Sequence, residues 1–272
     1  MSFFSLTPAS PLSSLVESIW DYEAAEQAPS LERIMPMANA CLIINPAEDE
    51  SRVYDPHTLR CHRFSGFTLD GPRSRFSIID TREQTAVMGV IFQPGGAAYF
   101  FRERLDCLLN QYIDAEDLLG RSETIRLRQQ LLEADGMKAR VAILHEWLIG
   151  RARHSAKPAT MLSHALAILD RTPQVDRIAA LAEACGLSPR RLRDLFNEQV
   201  GMSPKRFARL QRFHRVLSKS FRHRDVDWAS VAADCGFCDQ SHLIHEFHAF
   251  SGLTPATYHA LQGPHRHHVR LD

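Results

Sequence analysis

No stretch of this 272-residue chain approaches the roughly 18 consecutive apolar residues that a membrane helix needs. The opening segment, MSFFSLTPASPLSSL, lacks both a basic leading region and a long apolar run, so a secretory signal is not expected. Six cysteines, at 41, 61, 107, 185, 235 and 238, fall without the spacing of a disulfide framework, which points to reduced thiols in a cytoplasm. Net charge is missing as well: 32 Lys+Arg balance 32 Asp+Glu. The front half holds no complete P-loop, paired His-x-His ligand set or nucleophile elbow, so neither catalysis nor a cofactor is expected.

The balanced total conceals an asymmetry. Residues 1–158 hold 17 Lys+Arg and 21 Asp+Glu, while residues 159–272 hold 15 and 11 with ten of the fourteen histidines. A positive half beside a negative one is what a phosphate-facing domain requires, although an excess this small leaves affinity to placed side chains. The apolar fraction of 44% supports a well-cored globular protein, and the length suits two domains.

The strongest local pattern runs over residues 178–207, IAALAEACGLSPRRLRDLFNEQVGMSPKRF. Ile178, Leu181 and Ala182 repeat at helical spacing, and Leu192, Leu195 and Phe196 do so again. Gly186 stands between the runs, where a helix needs a left-handed residue to stop. Ser188 and Pro189 then supply the cap and first turn of a second helix. Its free side carries Arg190, Arg191, Arg193, Asp194 and Asn197. A short helix crossing another through a glycine turn, with guanidinium and amide groups outward, suits the major groove of DNA.

The pattern recurs. LAEACGL at 181–187 matches VAADCGF at 231–237 at an offset of 50, which pairs Gly186 with Gly236. Leu192, Phe196, Gly201, Pro204 and Phe207 match Leu243, Phe247, Gly252, Pro255 and Tyr258 at an offset of 51. One helix-turn-helix match is weak, whereas two copies in register are strong. Residues 203–219 form the joining helix, with Phe207, Leu210, Phe213 and Leu217 on its apolar stripe. Lys205, Arg206, Arg209, Arg212 and Arg215 lie off that stripe, as a solvated face or as contacts to the phosphate backbone.

Two such units, ending in GFCDQSHLIHEFHAFSGLTPATY, resemble the DNA-binding domain of AraC/XylS-type transcription regulators over roughly residues 159–260. The resemblance implies two recognition helices entering adjacent major-groove segments. Carried over by position, the base-reading places are Arg190, Arg193 and Asp194 in the first helix and Gln240, Ser241 and His245 in the second. Backbone contacts fall to Ser188, Arg191, Asn197, Arg209 and His242, and the N–H groups at both helix starts are also expected to hold phosphate. His245 and Glu246 make the second helix less basic than the first.

The front half reads as an α+β partner. The residues before SLVESIWDYEA read as a loop, and ESIWDY fits either a strand or a helix with Leu15, Ile19 and Tyr22 on one face. Apolar runs over 31–45 and 51–93, broken by Pro36 and by Gly, Pro and Asp, suggest a small cupin-like sandwich or barrel. FQPGGA at 92–97 reads as a tight turn or as a ligand-cradling loop. Helices are expected over 99–109, over 122–133 with Ser122 as cap, and over 139–149. The stripe of Val141, Leu144, Trp147 and Leu148 in the last serves either the domain core or a dimer contact. IMPMANACLIIN, GVIFQPGGAAYFF and YIDAEDLLG also resemble the front domain of one AraC-type subgroup, which implies effector sensing or dimerisation.

The organisation expected is a sensing or dimerisation domain at 1–152, a linker at 153–160, the tandem helix-turn-helix domain at 161–260 and a flexible tail at 261–272. The expected partners are double-stranded DNA, a small-molecule effector, a second copy of the chain, and RNA polymerase in the case of an activator. The competing reading is a DNA-tethered alkyl-acceptor or thiol redox sensor acting at Cys41, Cys61 or Cys107. Cys235-Gly-Phe-Cys238 followed by His242, His245 and His248 raises a metal site. Its register against Cys185 favours a buried structural cysteine instead. His265, His267 and His268 read as part of the solvated tail.

Overall fold

The computed structural model describes residues 2–24, 31–81, 85–101, 103–152, 160–172 and 178–271. In chain order the first strands are β1 (Ser2–Leu6), β2 (Val16–Glu23), β3 (Leu31–Ile34), β4 (Cys41–Ile44), β5 (Glu50–Tyr54) and β6 (Cys61–Ser65). They are followed by β7 (Phe67–Asp70), β8 (Ser77–Asp80), β9 (Ala86–Phe92), β10 (Tyr112–Asp114) and, at the far end of the chain, β11 (His268–Arg270). Every neighbouring pair is antiparallel, in a six-stranded sheet ordered β1-β2-β9-β4-β7-β10 and a five-stranded sheet ordered β11-β3-β8-β5-β6. The expected sandwich is therefore present. The opening residues, read as a loop, form β1, and ESIWDY belongs to β2.

Strand alternation divides the six-stranded sheet into two environments. Ile19, Leu42, Ile44, Leu69, Met88 and Val90 share a core with Phe100, Leu127, Leu131, Val141, Leu144 and Leu148. Those partners lie on or beside α1 (Ala98–Phe101), α2 (Ala115–Leu119), α3 (Arg121–Leu132) and α4 (Gly136–Ala152). Asp21 of β2, fully buried, accepts from Arg140 of α4 at 2.6 Å and pins that helix to the sheet. The stripe on α4 is thus spent on the domain's own core, which removes the dimer-helix reading. Two helix predictions need correction. The helix expected over 99–109 stops at Phe101, and beyond it the Leu105 N–H donates to Glu198 in the other half of the chain. α3 begins at Arg121 behind Gly120, so Ser122 lies inside the helix and is not its cap.

Apart from β11, the described back half is α: α5 (Thr160–Arg171), α6 (Ile178–Ala184), α7 (Pro189–Val200), α8 (Pro204–Ser220), α9 (Trp228–Asp234), α10 (Gln240–Ser251) and α11 (Pro255–Ala260). Its core repeats as the sequence does. Leu192 and Leu243 are fully buried, Phe196 meets Phe207 at 5.9 Å between ring centres, and Phe247 meets Tyr258 at 5.5 Å. Residues 153–159 of the expected linker lie outside the described residues, and Thr160 already belongs to α5.

The flexible tail is a misreading. β11 pairs with β3 in register, His268 to Ile34, Val269 to Arg33 and Arg270 to Glu32. Met35 N–H donates to His267 O and Leu271 N–H to Leu31 O, both at 2.8 Å. Val269 is buried, and the Tyr258 hydroxyl donates to Arg266 O at 2.8 Å. The end of the helical half thereby covers what would otherwise be the bare edge of the five-stranded sheet.

The joint contains two histidines kept neutral. His267 lies 5.3 Å from the His214 ring of α8. Burial pushes His214 down to about 4 and His267 down to about 3, from an ordinary 6.5. An unfolded chain takes up protons near 6.5 that these folded sites refuse, so their contribution to stability is complete above 6.5 and drains away as pH falls toward 4. Thermal melts above and well below 6.5 should show a falling midpoint, with a flatter profile for the His214→Phe, His267→Leu double variant. An equal pH slope in wild type and variant would clear both histidines.

Candidate nucleic-acid interface

The two turns are built alike. Gly186 has φ +66° and Gly236 φ +79°. Leu187 N–H donates to Ala182 O and Phe237 N–H to Ala232 O, both at 2.9 Å. These six-residue closures end the leading helices and start α7 and α10 at matching places. The caps differ. Ser188 Oγ accepts from Arg191 N–H at 3.2 Å, whereas an Asp239 carboxylate accepts from His242 N–H at 2.7 Å. The carboxylate puts a negative charge at the start of α10 that the start of α7 lacks.

Along α7, Arg190, Arg191 and Arg193 are exposed, and Asp194 and Asn197 are half-buried. Asp194 sits 4.0 Å from Arg190 one turn away, a solvent-screened pair that leaves the guanidinium free to turn elsewhere. Along α10, Gln240, Ser241 and His245 are exposed. His242 is half-buried. Its Nδ1 accepts from Cys238 N–H at 3.4 Å, and its ring stands edge-on to Phe237, so this side chain steadies its own turn. Cys235 is buried and Cys238 exposed on opposite sides of that turn. Ile244, overlooked in the sequence, is exposed on α10 beside the expected readers.

The joining helix α8 departs most from expectation. Arg209 is no free phosphate ligand: its Nε and Nη2 donate to the two oxygens of Glu246 on α10, at 2.6 and 2.8 Å. Arg212 lies over the Phe237 ring and Arg215 donates to Asp170 O. Lys205 and Arg206 remain exposed. Glu246, read as making α10 less basic, is 8% exposed and spends its charge inward on Arg209.

Both recognition helices finish against the front domain. Gly201 ends α7 at φ +82°, and a Cβ there would meet Leu105 O at 2.7 Å and Pro72 Cγ at 3.0 Å. Gly252 ends α10 at φ +68°, and a Cβ there would meet Phe76 Cε1 at 2.7 Å. Phe76 N–H donates to Phe250 O, and Arg33 Nη1 donates to Ser251 O while stacking on Phe76. One loop, residues 71–76, thus touches the ends of both α7 and α10. Gly201 and Gly252 were legible as repeat markers, but what presses on them was not.

Behind that loop, between the two sheets, lies a cavity of about 440 Å³. Trp20, Ile43, Asp70, Ile79 and Tyr112 line it, and His268 of β11 reaches its wall. Asp70 pairs with Arg73 at 2.5 Å, and Arg73 lies 3.9 Å from the Tyr112 ring centre. Burial lifts the Asp70 carboxyl to about 6 against the pull of Arg73. Burial likewise pushes the Cys41 thiol up, which makes it a poor nucleophile. The FQPGGA loop is a turn: Gly96 N–H donates to Gln93 O at 2.7 Å, and Gly95 rests on Leu162 of α5.

Comparison with known proteins supports this partition. Residues 181–260 match a helix-turn-helix domain family, and residues 5–114 match a domain family of unknown function. The HTH-type transcriptional activator RhaR of Pectobacterium atrosepticum is 30% identical over 166 residues, which are 58% of this chain and 52% of that protein. RhaR of Pectobacterium carotovorum subsp. carotovorum is 29% identical over 150 residues, 51% of this chain and 52% of that protein. The chain spans about half the length of these curated relatives. ToxT of Vibrio cholerae aligns over 96% of this chain and 98% of its own, at 11% identity and a TM-score of 0.48. The RhaR relatives give the thiol-sensor or alkyl-acceptor reading no support.

The Arg209–Glu246 pair yields a stability prediction. Removing Arg209 strands a buried Glu246 between α8 and α10. Arg209→Ala should lower unfolding free energy by about 1.5–3 kcal/mol, and adding Glu246→Gln should recover part of that loss. Denaturant unfolding of the two singles and the double measures the coupling. Additive losses would mean that the pair holds nothing together.

Proposed function

We propose that this chain, which belongs with the AraC/XylS-type regulators through its tandem helix-turn-helix domain, is a sequence-specific DNA-binding transcription regulator governed by its front domain. The observation that carries the reading is the doubled unit. Two turns close by the same bonds, and each presents an outward helix face rich in groups that recognise bases. In this reading Arg190, Arg193 and Asp194 address one major-groove segment and Gln240, Ser241 and His245 the next. Arg is suited to guanine and Gln to adenine. Ser188, Arg191 and Asn197 hold the backbone beside α7, with Lys205 and Arg206 in the place first given to Arg209.

A small-molecule effector is the natural occupant of the cavity between the sheets, whose size and mostly apolar wall suit one. Asp70 belongs to that wall, and Gly71 begins the loop that abuts both recognition helices. A change at the wall therefore has a short mechanical route to the relative placement of the two readers. The further partners in this reading are a second copy of the chain and, for an activator, RNA polymerase.

Selection from a random DNA pool should return a bipartite site. Arg193→Ala should weaken that site by about 1–3 kcal/mol and relax one base position, with random DNA bound as before. Equal losses on selected and random DNA would remove Arg193 from the reading face. A compound that shifts the selected-site affinity of the wild type should lose its effect in Ile43→Trp, which fills the cavity. An undiminished effect would move the effector elsewhere.

A further inference from the structure

On α10 the buried stripe is already complete: Leu243, Glu246, Phe247 and Phe250 face inward. Ile244 is not part of it and is 37% exposed. The other large apolar side chains exposed among the described residues are Phe3, Leu59, Ile125, Leu132 and Met161. None of these lies in a helix-turn-helix unit, so Ile244 is the apolar exception on an otherwise polar reading helix. Helical spacing sets it one turn after Gln240 and Ser241 and one turn before His248.

The repeat assigns this position a partner. The offset of 51 that equates Leu192 with Leu243 and Phe196 with Phe247 equates Arg193 with Ile244. The same place on the two recognition helices thus holds a guanidinium in one and a branched alkyl group in the other. An alkyl group has no hydrogen bond to offer a base edge. The major groove has one apolar feature to offer in return, the C5-methyl group of thymine. Burying the exposed part of Ile244 against that methyl removes both from water, whereas facing any other base edge would desolvate a polar group without a partner.

We infer that Ile244 is a specificity-determining residue of the second unit, recognising the methyl group of one thymine at the position corresponding to the base that Arg193 reads in the first. The inference rests on the DNA-reading role proposed above. It makes the two units chemically unlike: one reads by charge-assisted hydrogen bonds, the other partly by apolar contact.

The test removes one methyl at a time. With the full chain and a site selected from a random pool, each thymine in turn is replaced by deoxyuridine, and affinity is measured for wild type and Ile244→Ala. One replacement should cost the wild type about fourfold, the value of burying one methyl-sized group, and should cost the variant nothing. The variant should melt as the wild type does and bind random DNA equally well. If the wild type prefers its selected site yet no thymine shows this coupling, Ile244 does not read a methyl group while the regulator reading stands. If no site is selected at all, both fall.

Discussion

Gly201 and Gly252 meet the same loop, and the architecture turns on that contact. Each recognition helix ends in a left-handed glycine with a front-domain atom lying where a side chain would begin. α7 is stopped by Leu105 and Pro72, and α10 by Phe76. In the reading proposed above, the distance between two readers on one DNA molecule is a property of the whole site, since each base-edge contact demands placement to within a fraction of an ångström. Here that distance is set partly by residues of the other half of the chain. The long helix α8 ties the units from within, with Arg209 and Glu246 fastening it to α10, and the loop at 71–76 ties them from outside.

The same logic accounts for the front domain's shape. Its main apolar core lies between the six-stranded sheet and α1–α4, not between the sheets. The space between the sheets stays open, walled mostly by aliphatic and aromatic side chains with a few polar ones among them. A domain that buried its core inside the barrel would have no room there. By moving the core to the outer face of one sheet, the fold keeps its stability and leaves the interior for something else. Asp70 stands where the two meet, on the cavity wall and paired with Arg73 in the loop that reaches the recognition helices.

Most of the back half was legible in the sequence because its constraints are local. Helical spacing marked Leu192, Leu195 and Phe196, the turn glycines marked Gly186 and Gly236, and duplication set the register. What could not be read was anything set by distant parts of the chain. Nothing near Arg209 announces that its guanidinium is taken by a carboxylate 37 residues away. The helix expected over 99–109 had the right residues and lost to a hydrogen bond from Leu105 to Glu198. The tail looked solvated because three histidines in four residues are usually wet. Its alternation of His267, Val269 and Leu271 on one side was the signal of a strand, but only β3 gives that strand a reason to form.

The pairing of β11 with β3 also governs what happens when the polypeptide is cut. A protease nick anywhere in 153–159 would sever the covalent joint without parting the halves. Backbone hydrogen bonds between the two strands, the buried Val269 and the Arg33 contact to Ser251 would hold the fragments as a non-covalent complex. A recombinant piece beginning at Thr160 would, by contrast, carry an orphan strand with nothing to complete it. The two halves are separate in sequence, yet Met35 and Ala38 of the front half are buried in the core of the back half, so they are not interchangeable modules.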